Sequence, residues 1–164
     1  HLKSSTDISV SGRRIFVIEI KGILNNYDTY LNELQADLCL LRGMLQQDMG
    51  EPGASLSELS FMLKHLRCCS EFTNDAVIDM RLEHAELRLL QLSLAEWAIH
   101  SRPERQRLIL QGLYVEGKSW QELQDELHVS QTTISRERNK ALASIQNELE
   151  TWPEFRKSML ESRK

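Results

Sequence analysis

Residues 117–142 read GKSWQELQDELHVSQTTISRERNKAL, two helical segments joined by a three-residue break. Ser119 followed three residues later by Glu122 is a capping-box pattern, which opens a short helix over SWQELQDEL. Trp120, Leu123 and Leu127 fall on one face of that helix. His128-Val129-Ser130 then breaks the periodicity, and Ser130 is placed to cap a longer helix starting at Gln131. Val129 in the turn and Ile134 on the inner face of the second helix supply the apolar contacts that hold two helices at a steep angle. That is the pattern of a helix-turn-helix. It leaves the outer, N-terminal face of the second helix free to enter a major groove.

The residues predicted on that free face are Gln131, Thr132, Thr133, Ser135, Arg136, Arg138, Asn139 and Lys140. Their amides, hydroxyls and cations hydrogen-bond base edges and phosphates. Ser130 and the helix N-terminus after it suit a phosphate. Lys118, and Arg107 further upstream, are candidates for backbone phosphate outside the groove. Within 131–142 three basic residues face one acidic residue, Glu137. Trp120 reads as core and not as a stacking platform.

The stretch resembles the region-four helix-turn-helix of sigma factors. Gly117, Ser119, Trp120, Leu123, Leu127, Val129, Ser130, Thr133, Ile134 and Arg138 match that family's pattern. Two residues depart from it. Gln124 stands where a small residue packs between the helices. His128 stands where the family has a turn glycine in the left-handed conformation, which His adopts only at a cost. The order of segments around the motif is similar to phage transcriptional regulators of the RinA/ArpU type. The likeness runs over about residues 18–147 and includes Asn26-Tyr27 in the first helix and Thr73 before the long one. The resemblance implies an activator of phage late genes that contacts host RNA polymerase.

Residues 102–150 are expected to form the motif-bearing domain, with a first helix over PERQRLILQGLYVE (103–116) whose Leu108, Ile109, Leu113 and Tyr114 face a core. Residues 13–101 read as a helical dimerisation or oligomerisation region, making the fold class all-α with long N-terminal helices in a hairpin or coiled coil. Ile20, Leu24, Tyr27, Leu31, Leu34, Leu38, Leu41 and Leu45 step by 4 and 3 in alternation, a coiled-coil seam. The seam could close within the chain or between two chains. The run IFVIEI (15–20) at its start leaves a strand open. The Gly/Pro segment 48–54 is a loop, and Ser55 with Glu58 caps the next helix. Cys68 and Cys69 on it are expected to be small buried hydrophobes. A third helix begins near Thr73-Asn74-Asp75 and ends before Pro103. It carries a second apolar stripe, Leu87, Leu90, Leu94 and Trp97, suited to burial between neighbours. Residues 1–12 are expected to be a flexible tail, and 151–164 a tail or short helix.

Composition limits what else the chain can be. Of 164 residues, 41% are hydrophobic and 27% charged, the balance of a folded soluble domain. The net charge is −4, so any nucleic-acid contact must come from a local patch. Residues 1–101 hold 9 Lys/Arg against 14 Asp/Glu, and residues 102–164 hold 11 against 10. Three cysteines, two of them adjacent, form no disulfide framework and point to a reducing cytoplasm. No run approaches a membrane span. Phosphate loops, HExxH, CxxC and GxSxG are absent and the five histidines are dispersed. No enzyme activity, metal or cofactor is therefore expected. The expected partners are double-stranded DNA, a second copy of the chain and RNA polymerase. Two rival functions remain: a small terminase-like packaging subunit, and a polymerase-binding protein that does not touch DNA. The acidic residues Glu122, Asp125 and Glu126 keep the latter open.

Overall fold

The computed structural model describes residues 5–10 and 13–151, with side chains from Glu19 onward. Helix dominates, and the described strands are β1 (Ser5–Val10) and β2 (Arg13–Ile18). They pair antiparallel, with Thr6 opposite Val17 and Ile8 opposite Ile15. This corrects the expectation of a tail over 1–12 and a helix from 13. RRIFVI is rich in β-branched and aromatic residues, which favour the extended backbone. Residues 1–4 and 11–12 of the expected tail, and 152–164 at the other end, lie outside the described residues.

Helix α1 (Ile20–Asn25) and helix α2 (Tyr27–Met44) replace the single long helix predicted from the seam. Asn26 separates them, with φ −104° and ψ 12°. Its side-chain Nδ2 donates to the Gly22 carbonyl at 2.7 Å. An amide that bonds the preceding turn competes with helix propagation, which is why Asn favours helix ends. Helix α3 (Leu56–Ser70), α4 (Ala76–His100), α5 (Glu104–Leu110), α6 (Trp120–Leu127) and α7 (Gln131–Thr151) follow. The chain divides into two compact units at Asn26 and Glu96: Tyr27–Glu96 is one, and the chain before it joins the chain after it as the other. The predicted boundary at 101/102 therefore missed α1, which belongs with the C-terminal helices.

In the unit Tyr27–Glu96, the seam is covered from within its own chain. Leu34, Leu38 and Leu41 have no exposed surface and pack in one cluster with Leu59, Leu63 and Leu66 of α3 and Ile78, Leu82 and Ala85 of α4. Polar pairs fix the register. Asp37 accepts from Arg81 at 2.9 Å and pairs with Nδ1 of His84 at 2.6 Å. Glu33, one turn back, accepts from Arg88 at 2.6 Å, and the Arg88 guanidinium lies 4.1 Å from the Tyr30 ring centre. Falling numbers on α2 meet rising numbers on α4, so these helices run antiparallel. Arg67 ties α3 to Glu86 and Asp79 of α4. The caps form as the sequence requires: Ser55 Oγ accepts from the Glu58 amide, and Asp75 Oδ1 from the Val77 amide. Two expectations fail here. Cys68 is exposed and Cys69 half-buried, because the buried face of α3 runs through Leu59, Leu63, Leu66 and Ser70. Leu87 and Leu90 are 47% and 50% exposed, so the second stripe of α4 is not sandwiched along its length.

In the other unit, Ile20, Ile23 and Leu24 of α1 are buried, and the Ile20 amide donates to Gln146 Oε1 of α7 at 3.0 Å. Arg102 donates to Ser144 and Glu148, fastening the start of this segment to α7. After α5 the chain makes a wide, π-type turn over Gln111–Val115, where the periodicity predicts an uninterrupted helix. Ile109, as expected, and Leu110 are the apolar core residues of α5; Leu108 is 42% exposed. Gly112, in the wide turn, is buried, and a Cβ there would lie 2.6 Å from Leu123 Cδ2 of α6. Its missing side chain is what lets α6 seat. Gly112→Ala is expected to lower stability by about 1–3 kcal/mol through overpacking. Urea unfolding followed by circular dichroism checks this, and an unchanged midpoint would mean that Leu123 moves aside freely.

Candidate nucleic-acid interface

The connection between α6 and α7 is three residues long, His128 to Ser130. Ser119 Oγ accepts from the Glu122 amide at 3.1 Å and so starts α6; Ser130 Oγ accepts from the Thr133 amide at 3.2 Å and so starts α7. Leu123, Ile134 and Ile109 form a small buried cluster, with Val129, Leu127, Leu113 and Trp120 packed around it. His128 adopts φ 55° and ψ 42°, the left-handed conformation. The sharp turn between α6 and α7 is thus made by a residue with a Cβ.

Burial of Ile134 fixes which way α7 faces. Gln131, Thr132, Ser135, Arg136 and Asn139 line one shallow, open recess of about 590 Å³ on its outer side. All five were predicted from sequence. Lys140 is exposed nearby, while Thr133 is partly covered and exchanges a hydroxyl contact of 3.0 Å with Ser130. Glu137, the acidic member of this stretch, faces α5 and accepts from Gln106 at 3.2 Å. The recess therefore presents amides, hydroxyls and a guanidinium, with no carboxylate among its lining residues.

Two predicted cations are placed differently. Arg138 lies with its guanidinium 5.0 Å from the Trp120 ring centre, and donates to Asn139 Oδ1 at 3.3 and 3.2 Å. Trp120 is thus half-buried, a shelf for that cation as well as part of the apolar cluster. Burial pushes the Tyr114 hydroxyl pKa up, and the hydrogen-bonded Arg138 beside it opposes the rise. Lys118 is held by Glu116 and Glu126, each at 2.8 Å. Hydrogen bonds to Glu116 and then Glu126 raise its pKa well above the ordinary lysine value. It is firmly charged, but its charge is already answered. Reasoning from sequence missed Lys21 and Asn25 of α1, which share a cleft with Lys118 and Arg138. Nothing local in the sequence links α1 to this motif across more than ninety residues.

Among the described residues no group of three or more His, Cys, Asp or Glu side chains could hold a metal ion, and no helix is long and apolar enough to cross a membrane. Comparison with family models, with curated proteins and with solved structures gives no match.

A left-handed non-glycine residue costs about 1–2 kcal/mol. His128→Gly is therefore expected to raise stability by about 1 kcal/mol, net of the entropy that glycine adds to the unfolded chain. A lower denaturation midpoint for the variant would show that the imidazole makes a compensating contact.

Proposed function

We propose that this chain is a sequence-specific DNA-binding transcriptional regulator in which α6 and α7 form a helix-turn-helix and α7 docks in the major groove. One observation carries the reading: Ile134 is buried while Gln131, Thr132, Ser135, Arg136 and Asn139 line one outward recess. Their types match the known pairings of Arg with guanine and of Asn or Gln with adenine. Ser130, Thr133 and Lys140 are the proposed flanking contacts to the sugar-phosphate backbone, while Lys118 is held by Glu116 and Glu126. In this reading the chain acts as the RinA/ArpU-type regulators do, on phage late genes, in the cytoplasm and together with RNA polymerase. The exposed acidic residues Glu122, Asp125 and Glu126 on α6 are the surface that would meet the polymerase.

We also propose a homodimer formed through the N-terminal helices, which would read two half-sites. The seam is not its surface, because those leucines are consumed inside the chain. The exposed apolar row of α4, Met80, Leu87 and Leu90, has the 7 and 3 spacing of one helix face and can meet its own copy about a two-fold axis.

Fluorescence anisotropy with random duplex DNA over a salt series tests the first reading. Binding should weaken steeply with salt. Arg136→Glu should raise Kd at least roughly tenfold, the loss expected for one groove contact. Binding that ignores both salt and this substitution would favour a polymerase-binding protein that does not touch DNA. Light scattering tests the second reading: the wild type should have twice the monomer mass, and Leu87→Glu with Leu90→Glu should give the monomer. A ring of many subunits would instead favour the terminase-like function.

A further inference from the structure

Helix α1 brings a second set of polar side chains to the candidate interface. Ile20, Ile23 and Leu24 are buried, which turns Lys21 and Asn25, four residues apart, outward. They open onto a cleft of about 350 Å³ that also holds Tyr114, Lys118, Trp120 and Arg138. The cleft adjoins the recess on α7, because Arg138 on one side is hydrogen-bonded to Asn139 on the other. Its charge is positive. Glu116 and Glu126 answer Lys118, whereas Lys21 is exposed and has no ion pair among the described residues. Arg138 rests on the Trp120 ring, an arrangement that holds a guanidinium without neutralising it.

A helix lying in a major groove has a phosphodiester strand along each edge of that groove. The cleft lies at one edge of the recess. We propose that Lys21 and Asn25 of α1, together with Arg138, hold a phosphodiester of the DNA strand bordering the groove that α7 enters. Lys21 supplies the charge, the Asn25 amide donates a hydrogen bond, and the stacked Arg138 is already oriented. The N-terminal segment is then part of the DNA-binding surface and not only of the oligomerising region. The proposal rests on the DNA-binding reading above and adds a contact to it.

The test uses the full chain and labelled random duplex DNA, comparing wild type with Lys21→Gln and Asn25→Ala across a salt series. Losing one phosphate contact should reduce the slope of log K against log salt by about 0.9. Lys21→Gln is expected to show that reduction and to weaken low-salt binding several-fold, equally on different duplex sequences. Circular dichroism melts of both variants should match wild type, since both side chains are exposed. An unchanged slope and affinity in a wild type that does bind DNA would overturn the cleft and leave the groove contact standing. Wild type that binds no DNA at low salt would overturn both. A change in sequence preference, in place of a uniform loss, would also overturn the phosphate contact. Inorganic phosphate supplies the last arm: if it protects wild type, but not Lys21→Gln, from thermal unfolding, the cleft is a free-anion site and the assignment to a DNA strand falls.

Discussion

The contact of Ile134 with Leu123 sets the direction of every exposed side chain on α7. Ile134, Leu123 and Ile109 are each essentially without exposed surface. Burying side chains of this size is worth about 1.5–3 kcal/mol apiece. The turn joining α6 to α7 opposes that gain, since left-handed His128 costs about 1–2 kcal/mol. Burial of three large side chains outweighs one strained residue, so the angle holds. Gly112 is the other half of the constraint, because Leu123 reaches its place only over a residue with no Cβ. Rotating α7 by one residue would bring Ile134 to the surface and carry Ser135 into the core. The row Gln131, Thr132, Ser135, Arg136 and Asn139 therefore faces outward as a consequence of packing.

A different kind of constraint orders the unit Tyr27–Glu96. Its apolar stripe permits α2 to slide against α4, because leucines on heptad spacing fit in more than one register. Asp37 does not permit it. Only 6% exposed, it needs an opposite charge, and an unpaired buried carboxylate would cost several kcal/mol. Arg81 and His84 meet it at one level, and Glu33 with Arg88 repeats the pairing one turn away. Apolar burial supplies the stability of this unit, and the charged rungs choose its alignment.

Local signals in the sequence carried the motif far better than they carried its surroundings. Ser119, Glu122, Ser130 and Ile134 act within a few residues of themselves, and the caps and the core cluster form where their spacing put them. The seam on α2 was also legible, since its leucines are the buried ones. Its partner was not, because a periodic stripe does not say which apolar surface covers it. The break at Asn26 was hidden by a period that runs through it without a missed step. The strand over Arg13–Ile18 lay in a run that suits either helix or strand, and pairing with Ser5–Val10 decided it. Leu108, Leu87 and Leu90 were misjudged because an apolar residue at the right spacing is not thereby buried. Lys21 and Asn25 were invisible because their relation to α7 depends on a contact, Ile20 with Gln146, between residues 126 apart in the chain.

A chain with a net charge of −4 can still present a cationic face, and the placement of its carboxylates shows how. At physiological salt the field of an exposed charge decays within about 8 Å, so a polyanion placed on α7 would feel the nearest groups and little of the rest. Of the acids close in sequence to the recess, Glu137 is turned to Gln106, and Glu116 and Glu126 are engaged with Lys118. Asp125 accepts from Gln121 along α6. What α7 leaves exposed is Arg136 and Lys140, with Arg138 half-buried against Trp120, and α1 adds Lys21. Ion pairing thus engages Glu116 and Glu126, while a hydrogen bond from a neutral amide turns Glu137 toward α5 with its charge intact. The same pairing spends Lys118, a cation that the sequence alone would have counted toward DNA. Lys21, some hundred residues away in sequence, takes up the position beside it.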